Sequence, residues 1–287
     1  MDKKILIIGK TGLLAKSMIN YLKGLSQNID IFSPNHGPYK IDITKKEMLI
    51  DGLNDVKPSL IINCSGNVNL EFCEKYPEKA WNLNTIAVFN IINWIKDKKC
   101  KYIGISTDQL YNLNNSTEND EIVIKNQYAA SKYCSENIAL SYNKSLIIRT
   151  NIIGFRGQKD LTFFEWILDS IKKNKKIKLF HDYYTSSIDV NSFSRILIDL
   201  YKTGYSGLVN VGSREYISKA DFIKRVSTKM GFSDENFSNS TVDNLPIQRS
   251  KNCGMNVSKA EELLNYKMPT IDEVIESLLK EVDEKTI

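Results

Sequence analysis

Hydrophobic positions in this chain fall into two alternating patterns. Short unbroken apolar runs occur at KILIIG (4–9), IDIF (29–32), SLIINC (59–64), KYIGIST (101–107) and SLIIRT (145–150). They are rich in isoleucine and bounded by glycine or polar residues, as strands buried on both faces require. Between them lie stretches with helical spacing near 12–25, 45–55, 76–97 and 128–142. Strand, helix, strand, repeated, predicts an α/β fold: a doubly wound parallel sheet covered by helices on both sides.

After about residue 155 the pattern changes. A helix is predicted over LTFFEWILDSIKKNKK (161–176), a loop over DYYTSSIDV (182–190), a helix near 191–203 and a short strand at GLVNVG (207–212). SKADFIKRVSTKMG (218–231) reads as an amphipathic helix with Ser218 as N-cap and Gly231 as its stop, and another helix falls near 271–284. The expected division is a nucleotide-binding domain over 1–155, joined by part of 183–212, and a smaller C-terminal lobe over most of 156–287. A lobe at the carboxyl ends of the strands is where open α/β sheets bind ligands.

Charge excludes some functions and leaves others. The net charge is +5, from 39 basic and 34 acidic residues among 287. The excess is small and dispersed. KKNKK (172–176) and KDKK (96–99) read as solvated helix ends, so nucleic acid is not an expected partner. A small anionic substrate suits such a surface without being demanded by it. The five cysteines (Cys64, Cys73, Cys100, Cys134, Cys253) are scattered, with no Cys-x-x-Cys, which points to a reduced, cytoplasmic chain. The apolar run of MDKKILIIGK is too short for a signal peptide or a membrane span. With two histidines, His36 and His181, in unrelated contexts, neither a metal site nor a Ser-His-Asp triad is expected.

The first strand runs directly into GKTGLLA, with Gly9, Gly12 and Ala15 spaced three apart. A glycine at the first position permits the tight turn. At the second it lets backbone approach a pyrophosphate at the helix N-terminus, where free N–H groups and the helix dipole favour negative charge. A small third residue allows close helix–sheet packing. A tight turn without ligand is the plainer alternative. At the end of the second strand, IFSPNH offers neither the acid that holds an NAD ribose nor an arginine for a 2′-phosphate, since Asp30 is inside the strand and Phe32 and Ser33 end it. The cofactor expected is NADPH or NADH, with a lean toward NADPH.

NQYAASKYCSEN (126–137) reads as the start of a polar helix. Tyr128 and Lys132 are four apart and share a face. Among 14 tyrosines one such pair by chance is ordinary, and spacing alone fits a helix surface as well as an active site. Context favours the second. The pair comes about twenty residues after a strand ending in STDQLY, which would deliver Ser106, Thr107 and Asp108 to the carboxyl edge of the sheet.

Taken as a set, these segments resemble the extended short-chain dehydrogenase/reductases, and among them the dTDP-4-dehydrorhamnose reductase group of nucleotide-sugar reductases. GKTGLLA is similar to that group's cofactor loop, NLEFCEKYPEKAWNLNT (69–85) to its NVDxCExxPxxAxxxN pattern, and STDQLY to STDYVF. TENDEIVIKNQYAASKYCSE, SLIIRTNIIG, GSREYISKADFIKRV and QRSKNCGMNVSK resemble later segments in the same order. The resemblance implies a Rossmann-type sheet and an NAD(P)H-dependent reductase of a nucleotide-linked 4-keto sugar, serving surface-glycan synthesis. It implies that Tyr128 donates a proton to the new alkoxide, Lys132 lowers the phenol's pKa and binds the nicotinamide ribose, and Thr107 holds the substrate oxygen. Gly9, Thr11, Gly12, Leu13, Leu14, Asp42, Ile43, Cys64, Ser65 and Gly66 would line the cofactor with Tyr128 and Lys132. Asp108, Gln109, Asn151, Ile152 and Arg249 would join Thr107 at the substrate, Arg249 at the diphosphate. Gln109 stands where the group has Tyr, Ile152 where it has Trp, and Ala129 where it has Gly, so the identity of the sugar and the nucleotide stays open. An epimerase or dehydratase of the same fold, and a non-catalytic NADP-binding regulatory subunit, are the alternatives. A homodimer is left open.

Overall fold

The computed structural model describes residues 4–27, 29–33, 39–157 and 160–286. The last three residues of IFSPNH, His36 among them, lie outside these. The chain divides into two compact units. Unit 1 comprises Met1–Thr107, Asn126–Arg149 and Ser194–Val209, and unit 2 comprises Asp108–Lys125, Thr150–Phe193 and Asn210–Ile287.

The central sheet uses β1 (Ile5–Ile8), β2 (Ile29–Ser33), β3 (Tyr39–Lys40), β4 (Leu60–Asn63), β5 (Lys101–Ile105), β6 (Ser145–Thr150) and the strand Gly207–Val211. Its order is Gly207–Val211, β6, β5, β4, β1, β2, β3. Neighbours among β1–β6 pair in parallel, Ile5 opposite both Ile29 and Leu60. The predicted doubly wound α/β fold is therefore what forms. Every residue of β1 and β6 is buried, and Leu60, Ile61 and Ile62 of β4 are fully so. Strands covered on both faces have no solvent side to make polar, which is why the runs read as unbroken isoleucine and leucine.

In unit 1, helices α1 (Leu13–Gly24) and α2 (Lys46–Val56) follow β1 and β3. The helix expected over 76–97 forms without a gap over 77–95, with a π turn inside it. Asn69 caps α3 (Leu70–Lys75), Pro77 opens α4 (Pro77–Trp81), and a π turn over Asn82–Ile86 precedes α5 (Ala87–Ile95). Proline at a first helical position lacks only an N–H that would be unpaired anyway. The π turn inserts wider hydrogen bonding without interrupting the apolar spacing, and such turns gather at functional sites. Helix α6 (Gln127–Leu140) packs on the π turn, α5 and β5.

In unit 2, the helix expected over 161–176 stops at Lys172. Asn174 turns left-handed at φ 52° and Lys175 N–H reaches back to Ser170, after which Ile177–Phe180 is strand, paired with Phe237–Ser240. The segment expected as loop at 182–190 holds two short strands. Tyr184–Thr185 lies between Ile217–Ser218 and Asn252–Cys253, and Ile188–Asp189 pairs with Ile152–Ile153. Ser218 caps the helix Lys219–Lys229 by accepting from Asp221 N–H. No described helix is long and apolar enough to cross a membrane.

Candidate active site

At the end of β1, Gly9 has φ 94°, in the left-handed region that favours glycine, and its N–H bonds Phe32 O at 2.9 Å. A Cβ there would lie 3.5 Å from the backbone of Cys64 and Ser65. Gly12 is the N-cap of α1, with no side chain capping the helix and no acid in its first turn. The α1 N-terminus thus keeps the N–H donors that a pyrophosphate takes, so the loop fits a dinucleotide. Thr11 is exposed and Leu13 half-buried, while the side chain of Leu14 sits in the core. Asp42 closes an Asx turn, its Oδ1 accepting from Thr44 N–H at 3.0 Å and Oγ1 at 2.7 Å, and Ile43 is buried in the core. Asp30 lies inside β2 and pairs with Lys4 at 3.4 Å.

Beyond β4, Asn63 shapes the Cys64–Ser65–Gly66 turn. Its Oδ1 accepts from Ser65 N–H at 3.1 Å and Oγ at 2.5 Å, and its Nδ2 donates to Tyr102 OH at 3.1 Å. Burial pushes the Cys64 thiol up to about 12, so it is not a thiolate nucleophile at neutral pH.

Asn84, from the π turn, ties this turn to α6. Its Oδ1 accepts from Asn67 N–H at 2.8 Å, and its Nδ2 donates to Asn67 O at 3.1 Å and Ser131 Oγ at 3.0 Å. Thr85 Oγ1 donates to Ser131 O at 2.9 Å, and Ser131 Oγ donates to Tyr128 O at 2.9 Å. Helix α6 is thereby pinned at the residue before Lys132. Its start is fixed by the Asn126 cap on Ala129 N–H at 2.8 Å and by Glu74 accepting from Gln127 N–H at 2.7 Å. Sequence reading passed over Asn84 as a functional residue, although it is the last asparagine of the matched NLEFCEKYPEKAWNLNT segment.

Tyr128 is 8 % exposed and packs against Cys73 and Ala80. One turn on, burial lowers Lys132 to about 8, opposed by the carboxylate of Glu136. Glu136 is buried and held by Arg149, Nε to Oε2 at 3.0 Å and Nη2 to Oε1 at 2.5 Å. Lys132, Glu136, Asn63, Ser65, Asn84 and Ser106 line a small cavity of about 10 Å³. That is about room for one water among polar groups. Thr107, the residue after Ser106, is buried at the end of β5.

Unit 2 carries its own polar chain. Lys219 Nζ donates to Ser187 Oγ at 3.1 Å, Ser187 Oγ donates to Asn151 Oδ1 at 2.8 Å, and Asn151 Nδ2 donates to Asp108 Oδ2 at 2.8 Å. Gln109 Nε2 donates to Tyr183 OH at 2.7 Å and to Cys253 Sγ at 3.4 Å. Ile152, opposite Ile188, is half-buried, as is Arg249, whose Nε has no hydrogen-bond partner among the described residues. The structure thus joins Asp108 to Asn151. Lys219, Ser187 and Tyr183 are partners that sequence reading missed, because a lone lysine opening a helix carries no signal.

The family described as RmlD substrate binding domain matches residues 3–284. The chain is 24% identical over 289 residues to a probable low-salt glycan biosynthesis reductase of Haloferax volcanii, covering 95% of this chain and 96% of that one. It is 22% identical over 294 residues to the dTDP-4-dehydrorhamnose reductase of Escherichia coli K12, covering 97% of each. Among solved structures, a Bacillus anthracis dTDP-4-dehydrorhamnose reductase in complex with NADP superposes with a TM-score of 0.88 at 22% identity, over 98% of this chain and 100% of that one.

Proposed function

The chain belongs to the RmlD substrate binding domain family, and on that footing we propose that it is an NAD(P)H-dependent reductase of a nucleotide-linked 4-keto sugar, supplying precursors for glycan synthesis. The observation that carries the reading is the placement of Tyr128 and Lys132 on successive turns of a helix pinned between them at Ser131. The names of the Haloferax volcanii and Escherichia coli relatives agree with it. The uncapped glycine turn at α1 supports a dinucleotide, and the NADP complex of the Bacillus anthracis neighbour supports NADPH. Free cysteines throughout suit a cytoplasmic enzyme.

When bound, the reduced nicotinamide supplies a hydride to the ketone carbon. The chain's own residues handle the oxygen. Tyr128 gives its proton to the alkoxide as negative charge builds. A free phenol, with a pKa near 10, is a weak acid for this task, and a neighbouring ammonium favours the phenolate left behind. Lys132 is that ammonium. Thr107 donates a hydrogen bond to the same oxygen. Asp108, Gln109, Asn151 and Ile152 contact the sugar, and Arg249 takes a phosphate oxygen with its planar guanidinium. Gln109 follows Asp108 where a dehydratase would need a second acid.

Incubated with NADPH and a panel of nucleotide 4-keto sugars, the purified protein will consume the nicotinamide absorbance with at least one of them and yield the 4-hydroxy sugar, identified by mass and NMR. Turnover of none overturns the reading. The rate has a defined pH dependence. Lys132 is lowered to about 8, so its cation is present below that pH and lost above it. kcat/KM will fall as pH rises through about 8, and Lys132→Met will be slow at every pH with that falling limb gone.

A further inference from the structure

Unit 2 contains a second buried lysine that the proton-transfer chemistry does not use. Lys219 is 7 % exposed. Its ammonium sits 4.6 Å from the centroid of the Phe163 ring and 5.9 Å from that of Tyr183, and makes one hydrogen bond, to Ser187 Oγ at 3.1 Å. Two of its three N–H donors find no acceptor among the described residues, and it forms no ion pair. Asp108 is the carboxylate whose field reaches it, but the connection runs through Ser187 and Asn151 rather than by contact. Around Tyr183 the field of Arg249, whose Nε lacks a hydrogen-bond partner among the described residues, opposes that of Asp108. A buried ammonium with one neutral acceptor is an expensive arrangement to fold, and removing such a charge is often neutral or stabilising.

Resting on the nucleotide-sugar reading above, we propose that Lys219 is a substrate-binding residue, an oxyanion subsite completed when an anionic group of the nucleotide sugar meets its two open N–H donors. Asp108, joined to Lys219 by the Ser187–Asn151 chain, excludes a second uncompensated cation and orients the ammonium. Gln109 and Ile152, where the resembling reductases place aromatic residues, make the same region more polar and less bulky, as a charged substituent requires. Two groups supply the chemistry: a carboxylate on the sugar, or the diphosphate itself.

Calorimetric titration separates them without turnover. UDP and dTDP, their glucose esters and their glucuronate esters are titrated into the full-length protein and into Lys219→Met and Lys219→Arg. If the oxyanion is on the sugar, Lys219→Met weakens the glucuronate ester by roughly 30-fold or more, the loss expected when one partner of a buried charge pair is removed, and leaves the free diphosphates unchanged. If it is the diphosphate, all the probes weaken together. Lys219→Arg recovers part of the affinity in either case. Equal affinities in wild type and Lys219→Met overturn the subsite and leave the reductase reading standing. A wild-type protein that binds NADPH but none of the nucleotides overturns both. Unchanged NADPH affinity and unfolding temperature in Lys219→Met keep a folding defect from imitating the result.

Discussion

Replacing Tyr128 by phenylalanine will lower kcat for reduction of the 4-keto nucleotide sugar by about 10²–10⁴-fold, the range over which a positioned general acid contributes. The change removes one oxygen and leaves the ring, which packs on Cys73 and Ala80, in place. Stability and NADPH affinity will therefore stay close to wild type. The backbone carbonyl of Tyr128, which holds Ser131, is untouched as well. Stopped-flow measurement of nicotinamide oxidation under single-turnover conditions reads the chemical step directly. A wild-type rate in Tyr128→Phe removes the phenol from the mechanism. A lost rate with lost NADPH binding assigns the residue to the cofactor pocket instead.

The parallel sheet was legible in the sequence because burial on both faces leaves no choice of residue. β1 and β6 read as apolar runs because no position in them meets water. The glycine turn was legible for a similar reason, since only glycine takes φ 94° at Gly9 without strain. What stayed hidden lies in polar groups whose partners are remote in the chain. The π turn at Asn82–Ile86 keeps the apolar spacing of a helix, so nothing local announces that Asn84 will bridge Asn67 and Ser131. Lys219 looks like any lysine opening an amphipathic helix; its burial comes from Phe163, Tyr183 and Ser187, contributed by other segments of unit 2. Arg149 left more of a trace. A charged residue inside the buried run SLIIRT requires a counter-ion, and only the fold says that it is Glu136 on α6.

That pair yields the largest stability effect expected in the molecule. Arg149→Met will destabilise unit 1 by about 3–5 kcal/mol, because Glu136 remains buried without its guanidinium. The loss will show as a lower urea midpoint with an unchanged slope. Glu136→Leu alone will cost a similar amount, because the buried Arg149 guanidinium then lacks its carboxylate. The double variant Glu136→Leu/Arg149→Met removes both charges, and its cost will fall well below the sum of the single losses. Additive losses would show that the two side chains act independently despite their contact. Function follows the same pair. Glu136 raises Lys132 against the lowering by burial, so Glu136→Gln moves Lys132 further down. The falling limb of kcat/KM then shifts to lower pH than in wild type. The carboxylate of the ion pair that fastens α6 to β6 thus also favours the charged form of Lys132, one turn on from Tyr128.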